Sequence, residues 1–452
     1  MIRDLRVNRD FPFAQGTFHS VGQGMFYSCH IWLRRCHEPL TVVYDCGSSS
    51  KKEYLESEID YLIAVGVREI DMLIISHFDR DHVNGIPRLL KLLKVKSVYM
   101  PYLTPRQRLL VYARNYETAK RRSTDYDELV TDPAGYFIRK GVPSIFFLGS
   151  SGLPTETPQS GQDGPDDGPG DGPGDRPDDR PDDGIGTNLE IDGEFSEQVY
   201  GTEGLTGSDR ENVQVRKVSP KRRRGAQWNF EFFSEPMDAA IANSLFSSLK
   251  GPPLNITTNK ELKAALRDKG KMKNIREAYE KTLGGSKQIN EASLCVAHYP
   301  NPNHWFTGQL VGSNDLFVAR LQSVCKTCGN FLPREAYQVR IFHTNGATIL
   351  FGDSNFSGSN FTRLFASNSE LMPPSCFRNA AVASLPHHGS DLSWDPDALE
   401  SVICRSWVVS SKFASKHHPG CKTVQDVLSG YPCRKLFAAN EFNRVSYTIF
   451  PD

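Results

Sequence analysis

Several features that would fix the class of a protein at once are missing from this sequence. Its 53 basic and 53 acidic residues cancel, so no overall charge draws the chain toward nucleic acid or a membrane. No stretch approaches the roughly 20 apolar residues that a membrane-spanning helix needs, and the first residues lack the apolar segment of a signal peptide. These absences predict a cytoplasmic protein with no membrane partner.

A disulfide framework is also missing. The 10 cysteines are scattered along 452 residues, which predicts mostly free thiols. Cys325 and Cys328 form a CxxC pair, but no second pair follows at the spacing of a zinc knuckle. The pair is interpreted as a turn with two thiols, as part of a zinc site completed by distant Cys or His, or as a redox pair.

A short loop that follows the apolar run 72–75 is dense in metal-binding side chains. It places His77, Asp79, Asp81 and His82 within six positions. Imidazoles and carboxylates are ligands for divalent metals, and loops that leave buried strands often carry functional sites. The spacing H-x-D-x-D-H can direct His77 and Asp79 to one side and Asp81 and His82 to the other. It therefore predicts half-sites for two neighbouring ions.

The loop resembles the second signature of the metallo-β-lactamase superfamily, in the version with Asp at the second ligand position. More specifically, it is similar to the hydrolase domain of ComEC-type competence proteins. Further segments with this resemblance occur in the family's order at 21–24, 43–47, 290–293, 350–353, 387–390 and 418–419. The middle of the chain is not covered by the resemblance.

The resemblance implies an α/β fold, the αββα metallo-β-lactamase sandwich, formed by residues 1–100 and 286–452 as two halves of one hydrolase domain. The alternation of predicted strands and helices over 41–100 favours the same fold class. Residues 101–285 are then expected to be a large insertion. A Gly-, Pro- and Asp-rich disordered linker is predicted over about 151–220, and helices over 236–284.

The predicted insertion contains two basic segments. The helix predicted over 105–122 carries six basic side chains, and a basic cluster follows at 221–224. Such segments are interpreted as solvated faces, as phosphate-binding faces or as docking sites for a protein partner.

The resemblance also implies roles for the polar residues at the ends of the predicted strands. Asp353 would bridge the two ions, because a carboxylate has two oxygens. His387 would complete the shell of the second ion with Asp81 and His82, and His388 would face the substrate or support the ligands. The metal ligands are thus expected to be His77, Asp79, Asp81, His82, Asp353 and His387.

Three further residues are expected to assist this centre. Asp45 would orient the metal loop by hydrogen bonding, as second-sphere partners commonly do. Ser390, like its neighbour Gly389, would offer polar groups to the phosphoryl oxygens of the substrate. His418 would donate a hydrogen bond to a phosphoryl oxygen or protonate the leaving group, so that Asp81, His388 and His418 are the residues expected to act in catalysis.

No further His ligand is evident between the metal loop and Asp353. His298, His304 and His343 lie in that interval, and each is open as a ligand or as a structural residue. An oxygen-rich shell shifts the preference from Zn²⁺ toward Mn²⁺. The expected cofactors are therefore two divalent ions, Zn²⁺ or Mn²⁺.

The sequence thus predicts a dinuclear metal-dependent hydrolase. The resemblance to competence proteins favours a phosphodiesterase or nuclease acting on DNA or RNA, and it permits a role in phage defence. Two alternatives stay open: a hydrolase of small phosphodiesters or other esters, and a partner-binding regulatory protein whose metals are structural.

Overall fold

The computed structural model describes residues 11–115, 123–149, 184–187, 189–191, 213–218, 226–233, 246–247, 256–283, 293–300, 306–312, 338–356, 377–413, 415–429 and 435–451. Its strands are, in chain order, β1 (Phe13–Phe18), β2 (Phe26–Trp32), β3 (Leu40–Cys46), β4 (Glu69–Ile74), β5 (Lys94–Pro101), β6 (Ser144–Gly149), β7 (Ile185–Thr187), β8 (Leu189–Ile191), β9 (Val213–Val218), β10 (Trp228–Phe233), β11 (Cys295–Pro300), β12 (Phe306–Gly312), β13 (Gln338–Thr344), β14 (Thr348–Leu350), β15 (Arg378–Ser384), β16 (Ile403–Ser410), β17 (Lys435–Ala439) and β18 (Val445–Pro451).

The helices of the same residues are α1 (Lys52–Ala64), α2 (Arg80–Val83), α3 (Ile86–Leu92), α4 (Pro105–Asn115), α5 (Thr124–Thr131), α6 (Pro133–Arg139), α7 (Asn259–Arg267), α8 (Lys269–Leu283), α9 (Ala398–Ser401) and α10 (Cys421–Ser429). Two short 3-10 turns, Pro386–Gly389 and Asp391–Ser393, follow β15. Within the described chain, no helix is both long and apolar enough to cross a membrane.

The described strands form two sheets. One has the order β13-β12-β18-β1-β2-β3-β4-β5-β6-β9-β8, and the other has the order β17-β16-β15-β14-β11-β10-β7. Large apolar side chains from both sheets, including Phe18 and Tyr27 from one and Phe230 and Val296 from the other, share one buried cluster. The two sheets therefore pack face to face.

Helices cover the outer face of each sheet. Leu55, Ile59 and Leu62 recur at helical spacing on α1, so that one side of this helix is buried against the first sheet. Val424 and Val427 of α10 pack in the same way in the cluster outside the second sheet. The layers are helix, sheet, sheet and helix, which is the predicted αββα sandwich.

Parallel strands in both sheets bring their carboxyl ends to one edge of the sandwich. In the first sheet, β3, β4, β5 and β6 are parallel neighbours. In the second sheet, β14, β15, β16 and β17 are parallel neighbours. Loops that leave such strands converge, and this edge is where ligands usually bind in sheets of this kind.

The stretch 101–285, expected from the sequence to be an insertion, contributes strands to both sheets. Its strands β6 and β9 extend the first sheet, and β10 pairs with β11 inside the second sheet. The linker expected over about 151–220 contains β7, β8 and β9, because a short strand needs only a few apolar residues such as Ile185, Val213 and Val215. The most Gly- and Pro-rich part, 151–183, lies outside the described residues.

Within the segment 236–284 that is predicted to be helical, the described residues form α7 and α8, and residues 236–245 and 248–255 lie outside the described residues. Thr258 and Glu261 form a capping box at the start of α7, which satisfies backbone donors that a helix leaves unpaired. The basic helix predicted over 105–122 is described only to Asn115, where α4 ends; Lys120, Arg121 and Arg122 lie outside the described residues.

Candidate metal centre

The metal loop begins where β4 ends in the middle of the first sheet. Ile74, Ile75 and Phe78 are buried, which anchors the loop on both sides of His77. The carbonyl oxygen of Ser76 accepts a hydrogen bond of 2.7 Å from the Leu294 amide, so the loop is tied to the second sheet as well. This attachment places the polar side chains between the two sheets.

Asp45 holds the loop from the end of β3. It is fully buried, and its carboxylate accepts hydrogen bonds from the Ser76 amide (2.7 Å), the Ser76 hydroxyl (2.6 Å) and His82 Nδ1 (2.8 Å). Its φ of 55° is in the left-handed region, where Asp is one of the few tolerated residues. Asp45 therefore lies in the supporting position that the resemblance implied.

Asp353 enters the centre from the second sheet, after β14. The preceding Gly352 has a φ of 54°, and a Cβ there would lie 2.4 Å from Ser293 Oγ and 2.9 Å from Ser76 Cβ. Only glycine fits this close approach of the two loops. The Asp353 amide donates to Ser293 Oγ at 3.1 Å, which fixes the carboxylate next to the metal loop.

His387 and His388 both reach Asp353, which the sequence did not predict. Neighbouring side chains point in opposite directions on an extended backbone, but these two residues have φ values of 46° and 54°. The tight turn presents both rings to the carboxylate. His388 is buried, whereas His387 is partly exposed.

The two oxygens of Asp353 face different imidazoles. Oδ1 lies 3.2 Å from His82 Nε2 and 3.7 Å from His388 Nε2. Oδ2 lies 3.6 Å from His77 Nε2 and 3.8 Å from His387 Nε2. The carboxylate is therefore placed between two pairs of rings, as a group that bridges two cations would be.

The donor atoms fall into two overlapping groups, each within 4.8 Å. One contains His77, His82 and Asp353, and the other contains Asp81, His82 and His388. Asp81 Oδ2 lies 3.5 Å from His388 Nε2, so that the loop and the turn after β15 meet at this point. Nitrogen and carboxylate oxygen donors in this arrangement suit Zn²⁺ or Mn²⁺.

All four imidazoles are held at Nδ1 and present Nε2 to the centre. The Nδ1 partners are Ser76 Oγ for His77 (2.8 Å), Asp45 Oδ2 for His82 (2.8 Å), Ser393 Oγ for His387 (2.8 Å) and the Ser410 carbonyl for His388 (2.7 Å). A hydrogen bond at one ring nitrogen commonly orients the other nitrogen toward a metal. The serines were not recognisable as partners from the sequence.

Several donor atoms of the centre are buried without a hydrogen-bond partner. They are Nε2 of His77, His82 and His388, and Oδ1 of Asp353. A buried polar atom without a partner costs about 1–3 kcal/mol, so four of them in one place need an explanation. Metal ligation supplies one, and the residues therefore fit the ions that the resemblance implied.

The imidazoles and carboxylates of the centre shift each other's pKa values. Burial alone would raise the pKa of Asp353, but the imidazoles of His82, His387 and His388 hold it well below its usual range. Burial alone would lower the pKa of His82, but Asp353 and Asp45 raise it well above its usual value. The carboxylate is thus ionised, and divalent cations would take over the compensation that imidazole protons otherwise provide.

Asp79 has partners from a helix that the sequence did not connect with the site. Its Oδ2 lies 3.0 Å from Arg114 NH1 and 3.6 Å from His77 Nε2, and its Oδ1 accepts a hydrogen bond of 2.9 Å from Asn115 Nδ2. Burial alone would raise the pKa of Asp79, but Arg114, His77 and Asn115 hold it far below its usual range. Asp79 is therefore an ionised carboxylate shared between the centre and α4.

The basic residues of α4 correct the expectation of a solvated or phosphate-binding face. The Arg108 side chain is buried and donates to the carbonyls of Leu103, Val130 and Thr131 and to Asn259 Oδ1. Arg106 lies over the Phe246 ring at 4.3 Å. Together with Arg114, these arginines join α4 to its surroundings.

The other two expected site residues lie near the centre with different contacts. The His418 ring is 5.8 Å from the His387 ring and 6.1 Å from the His388 ring. Burial first, and then His388 and His387, lower the pKa of His418 to about 4. Ser390 Oγ accepts from the Leu392 amide at 3.3 Å, so its hydroxyl caps the following 3-10 turn.

His298 lies away from the centre. It is buried between the sheets, where Nε2 contacts Tyr27 Oη at 3.0 Å and Nδ1 accepts from Trp228 Nε1 at 3.3 Å. Both ring nitrogens are thus occupied, which makes this histidine a structural residue. His304, Cys325 and Cys328 lie outside the described residues, and for His343 the description covers only the backbone, in β13.

A comparison with known families agrees with this geometry. The model of the metallo-beta-lactamase superfamily matches residues 26–209, a span that includes Asp45 and the metal loop. No curated protein shows significant similarity to the chain. Asp353, His387 and His388 lie beyond the matched span, and the fold brings them to the loop. The family match and the clustered His and Asp ligands together indicate a metal-dependent hydrolase.

Proposed function

We propose that the protein is a dinuclear metal-dependent phosphodiesterase, and more specifically a nuclease. The observation that carries the proposal is the position of Asp353, whose two oxygens face separate pairs of imidazoles. The Nε2 atoms of His77, His82 and His388 are buried there without a hydrogen-bond partner. These residues would hold two divalent ions, Zn²⁺ or Mn²⁺, which would lower the pKa of a bound water and stabilise the attacking and leaving oxygens at the phosphorus of a phosphodiester.

The imidazoles divide between the two ions according to the Asp353 oxygen that they face, and Asp79 and Asp81 are assigned with the histidines that they approach. The proposed ligands are His77, Asp79 and His387 for the first ion, Asp81, His82 and His388 for the second ion, and Asp353 for both. With His387, the first ion gains a second imidazole beside that of His77. No further described histidine is assigned to this ion. Asp79 would share its charge between this ion and Arg114.

The remaining polar groups would position the substrate. With a pKa of about 4, His418 is neutral near pH 7, so it would donate an N–H to a phosphoryl oxygen. The neutral ring is a poor source of a proton for the leaving group at this pH. Asp81, which is less buried than Asp353, would orient the attacking water from the open side of the centre.

The preference for nucleic acid rests on the resemblance to ComEC-type competence proteins, which are implicated in degrading DNA. The same resemblance supports a role in phage defence. The family's order of motifs supports one hydrolase domain built from 1–100 and 286–452, with strands of the intervening stretch added to its sheets. The parts of that stretch outside the sheets would be available to a protein partner.

A substrate panel tests the proposal. Purified protein, loaded with Mn²⁺ or with Zn²⁺, is incubated with single-stranded DNA, duplex DNA, RNA and bis-p-nitrophenyl phosphate. Cleavage of a nucleic acid that stops in chelator supports the nuclease. Turnover of bis-p-nitrophenyl phosphate alone would replace it with a small-ester hydrolase, and no turnover with either metal would favour a partner-binding protein with structural metals.

A further inference from the structure

An exposed aromatic side chain stands at the edge of the sandwich that carries the centre. Phe442 is 57% exposed. Of the large apolar side chains that are exposed in the described part of the chain, it is the one with an aromatic ring. It lies in the turn between β17 and β18. The amides of Phe442 and Asn443 donate to Asn440 Oδ1 at 2.9 and 3.1 Å, and Asn440 is fully buried. Asn440 thus anchors the turn, and Phe442 stands exposed at its tip.

Two further aromatic rings hold Phe442 in a fixed orientation. Phe413 meets it edge-to-face at 5.5 Å between ring centroids, and Tyr54 does so at 6.4 Å. Edge-to-face contacts of this kind are favourable in addition to the area that they bury. An exposed ring that is braced from two sides provides a flat, preorganised surface for another aromatic ring.

Next to the ring is an open cavity of about 450 Å³, lined by Tyr54 and Phe442 together with Glu58, Glu441 and Arg444. This volume is within the roughly 300–1,000 Å³ that is typical of small-ligand sites. The cavity therefore has room for a planar group such as a nucleobase beside Phe442.

The position of this turn relative to the centre follows from the sheet order. β17 is parallel to β16, and β16 is parallel to β15, which leads to His387 and His388. Strands are about 4.8 Å apart, so the turn after β17 lies about 10 Å along the edge from the turn after β15. The Phe413 amide also donates to Glu441 Oε2 at 2.8 Å, and the chain continues from Phe413 to His418. The aromatic turn thus contacts a residue that precedes His418 by only five positions.

The exposed charges on the way from the turn to the centre are mainly basic. At the turn, Glu58 is paired with Arg444, whose Nε lies 2.6 Å from its carboxylate, whereas Glu441 keeps one negative charge and accepts a hydrogen bond from the Phe413 amide. Lys412 and Lys416 are exposed, and both lie between the end of β16 and His418 in the sequence. Phosphates that reach the metal ions from the aromatic turn would pass beside these ammonium groups.

We propose that Phe442 is a base-stacking platform that makes the enzyme prefer single-stranded nucleic acid. A base of the substrate stacks on Phe442 beside the cavity, and the neighbouring backbone runs past Lys412 and Lys416 to the metal centre. Single strands expose the faces of their bases, whereas bases in a duplex are stacked on each other. This inference rests on the proposed nuclease function and adds the strandedness of its substrate.

The test compares kcat/KM of the Mn²⁺-loaded protein on a short single-stranded DNA, its RNA counterpart, the matching duplex and bis-p-nitrophenyl phosphate. Base–aromatic stacking corresponds to a factor of about 5 to 150 per base. In Phe442→Ala, kcat/KM for single strands, expressed relative to that for bis-p-nitrophenyl phosphate, should fall by about tenfold or more. Phe442→Trp should retain the wild-type ratio. Leu92→Ala, which truncates an exposed apolar residue on α3, serves as the control.

The DNA and RNA arms show which single strand is preferred. An unchanged ratio in Phe442→Ala, or a loss that is equally large for the duplex, overturns the platform and leaves the nuclease intact. Wild-type protein that hydrolyses bis-p-nitrophenyl phosphate but no nucleic acid overturns the nuclease, and the platform falls with it. A second readout is salt: Lys412→Gln combined with Lys416→Gln should make the slope of log affinity against log salt shallower by about 1.4.

Discussion

Replacing Asp45 by Asn tests whether a carboxylate that does not itself ligate determines the strength of the centre. Asn tolerates the left-handed backbone at this position, so the substitution changes the charge and the acceptors but not the shape. Asp45 accepts three hydrogen bonds, from the Ser76 amide on Oδ1 and from the Ser76 hydroxyl and His82 Nδ1 on Oδ2. An amide has only one acceptor oxygen, so it cannot satisfy all three donors.

Either orientation of the new amide leaves a conflict. If its nitrogen faces the Ser76 amide, two donors meet. If its nitrogen faces His82 Nδ1, the imidazole must move its proton to Nε2, the atom that faces Asp353. A buried donor without a partner costs about 1–3 kcal/mol, and removal of such a supporting group typically costs 10- to 100-fold in metal affinity. We expect losses of this size in both unfolding free energy and affinity.

The assay is calorimetric titration of metal-free Asp45→Asn with Mn²⁺, together with thermal unfolding. Asp71→Asn is the matched control, because Asp71 accepts from the Thr41 amide and from Lys96 on the same sheet, far from the imidazoles. Its metal affinity should equal that of the wild type. Wild-type affinity in Asp45→Asn would refute the argument that Asp45 fixes the His82 tautomer.

Three further predictions concern the charged groups. Arg114→Gln removes the guanidinium that faces the buried Asp79 carboxylate, and it should destabilise the metal-free protein by about 3–5 kcal/mol in thermal unfolding, with recovery in Mn²⁺. In comparison, Arg139→Gln, which breaks exposed ion pairs, should cost less than about 1 kcal/mol. His388→Ala should lose one tightly bound ion and His387→Ala should weaken the other, as measured by metal content after gel filtration; equal retention of both ions would contradict the proposed division. Burial alone would raise the pKa of Glu58, but hydrogen bonds from His19 and Arg444 lower it to about 2, so its stabilisation is present above the unfolded pKa of about 4.3 and lost as pH falls toward 2. Glu58→Gln should therefore be less stable than wild type near neutral pH, and this stability difference should shrink as pH falls from about 4.3 toward 2. An unchanged stability difference across that range would count against the pairing.

The sandwich and half of the centre could be predicted from the sequence because their signals are local. A buried strand followed by His77, Asp79, Asp81 and His82 is a contiguous pattern. This pattern was sufficient by itself to predict a metal site. The αββα layers followed from the resemblance and from alternating strands and helices. The expected linker was partly wrong, since β7 and β8 have only three residues each and β9 carries polar and charged residues between its valines, so none stands out from a polar average composition.

The rest of the centre depends on backbone geometry and on distant contacts. The choice between His387 and His388 assumed an extended backbone, whereas both residues have positive φ and both face Asp353. Arg114 and Asn115 reach Asp79 from a helix that begins more than twenty positions along the chain, and no motif connects them with the loop. Such contacts become visible only when the strands and helices are placed in space.

The most direct test of the account is the metal dependence of phosphodiester hydrolysis in wild type and in Asp353→Asn. Turnover of single-stranded DNA and of bis-p-nitrophenyl phosphate should be lost in chelator, return when Mn²⁺ or Zn²⁺ is added back, and be abolished in Asp353→Asn, because one amide cannot replace a carboxylate between two cations. Turnover that persists in chelator, or an Asp353→Asn protein as active as the wild type, would contradict the assignment of a dinuclear hydrolase.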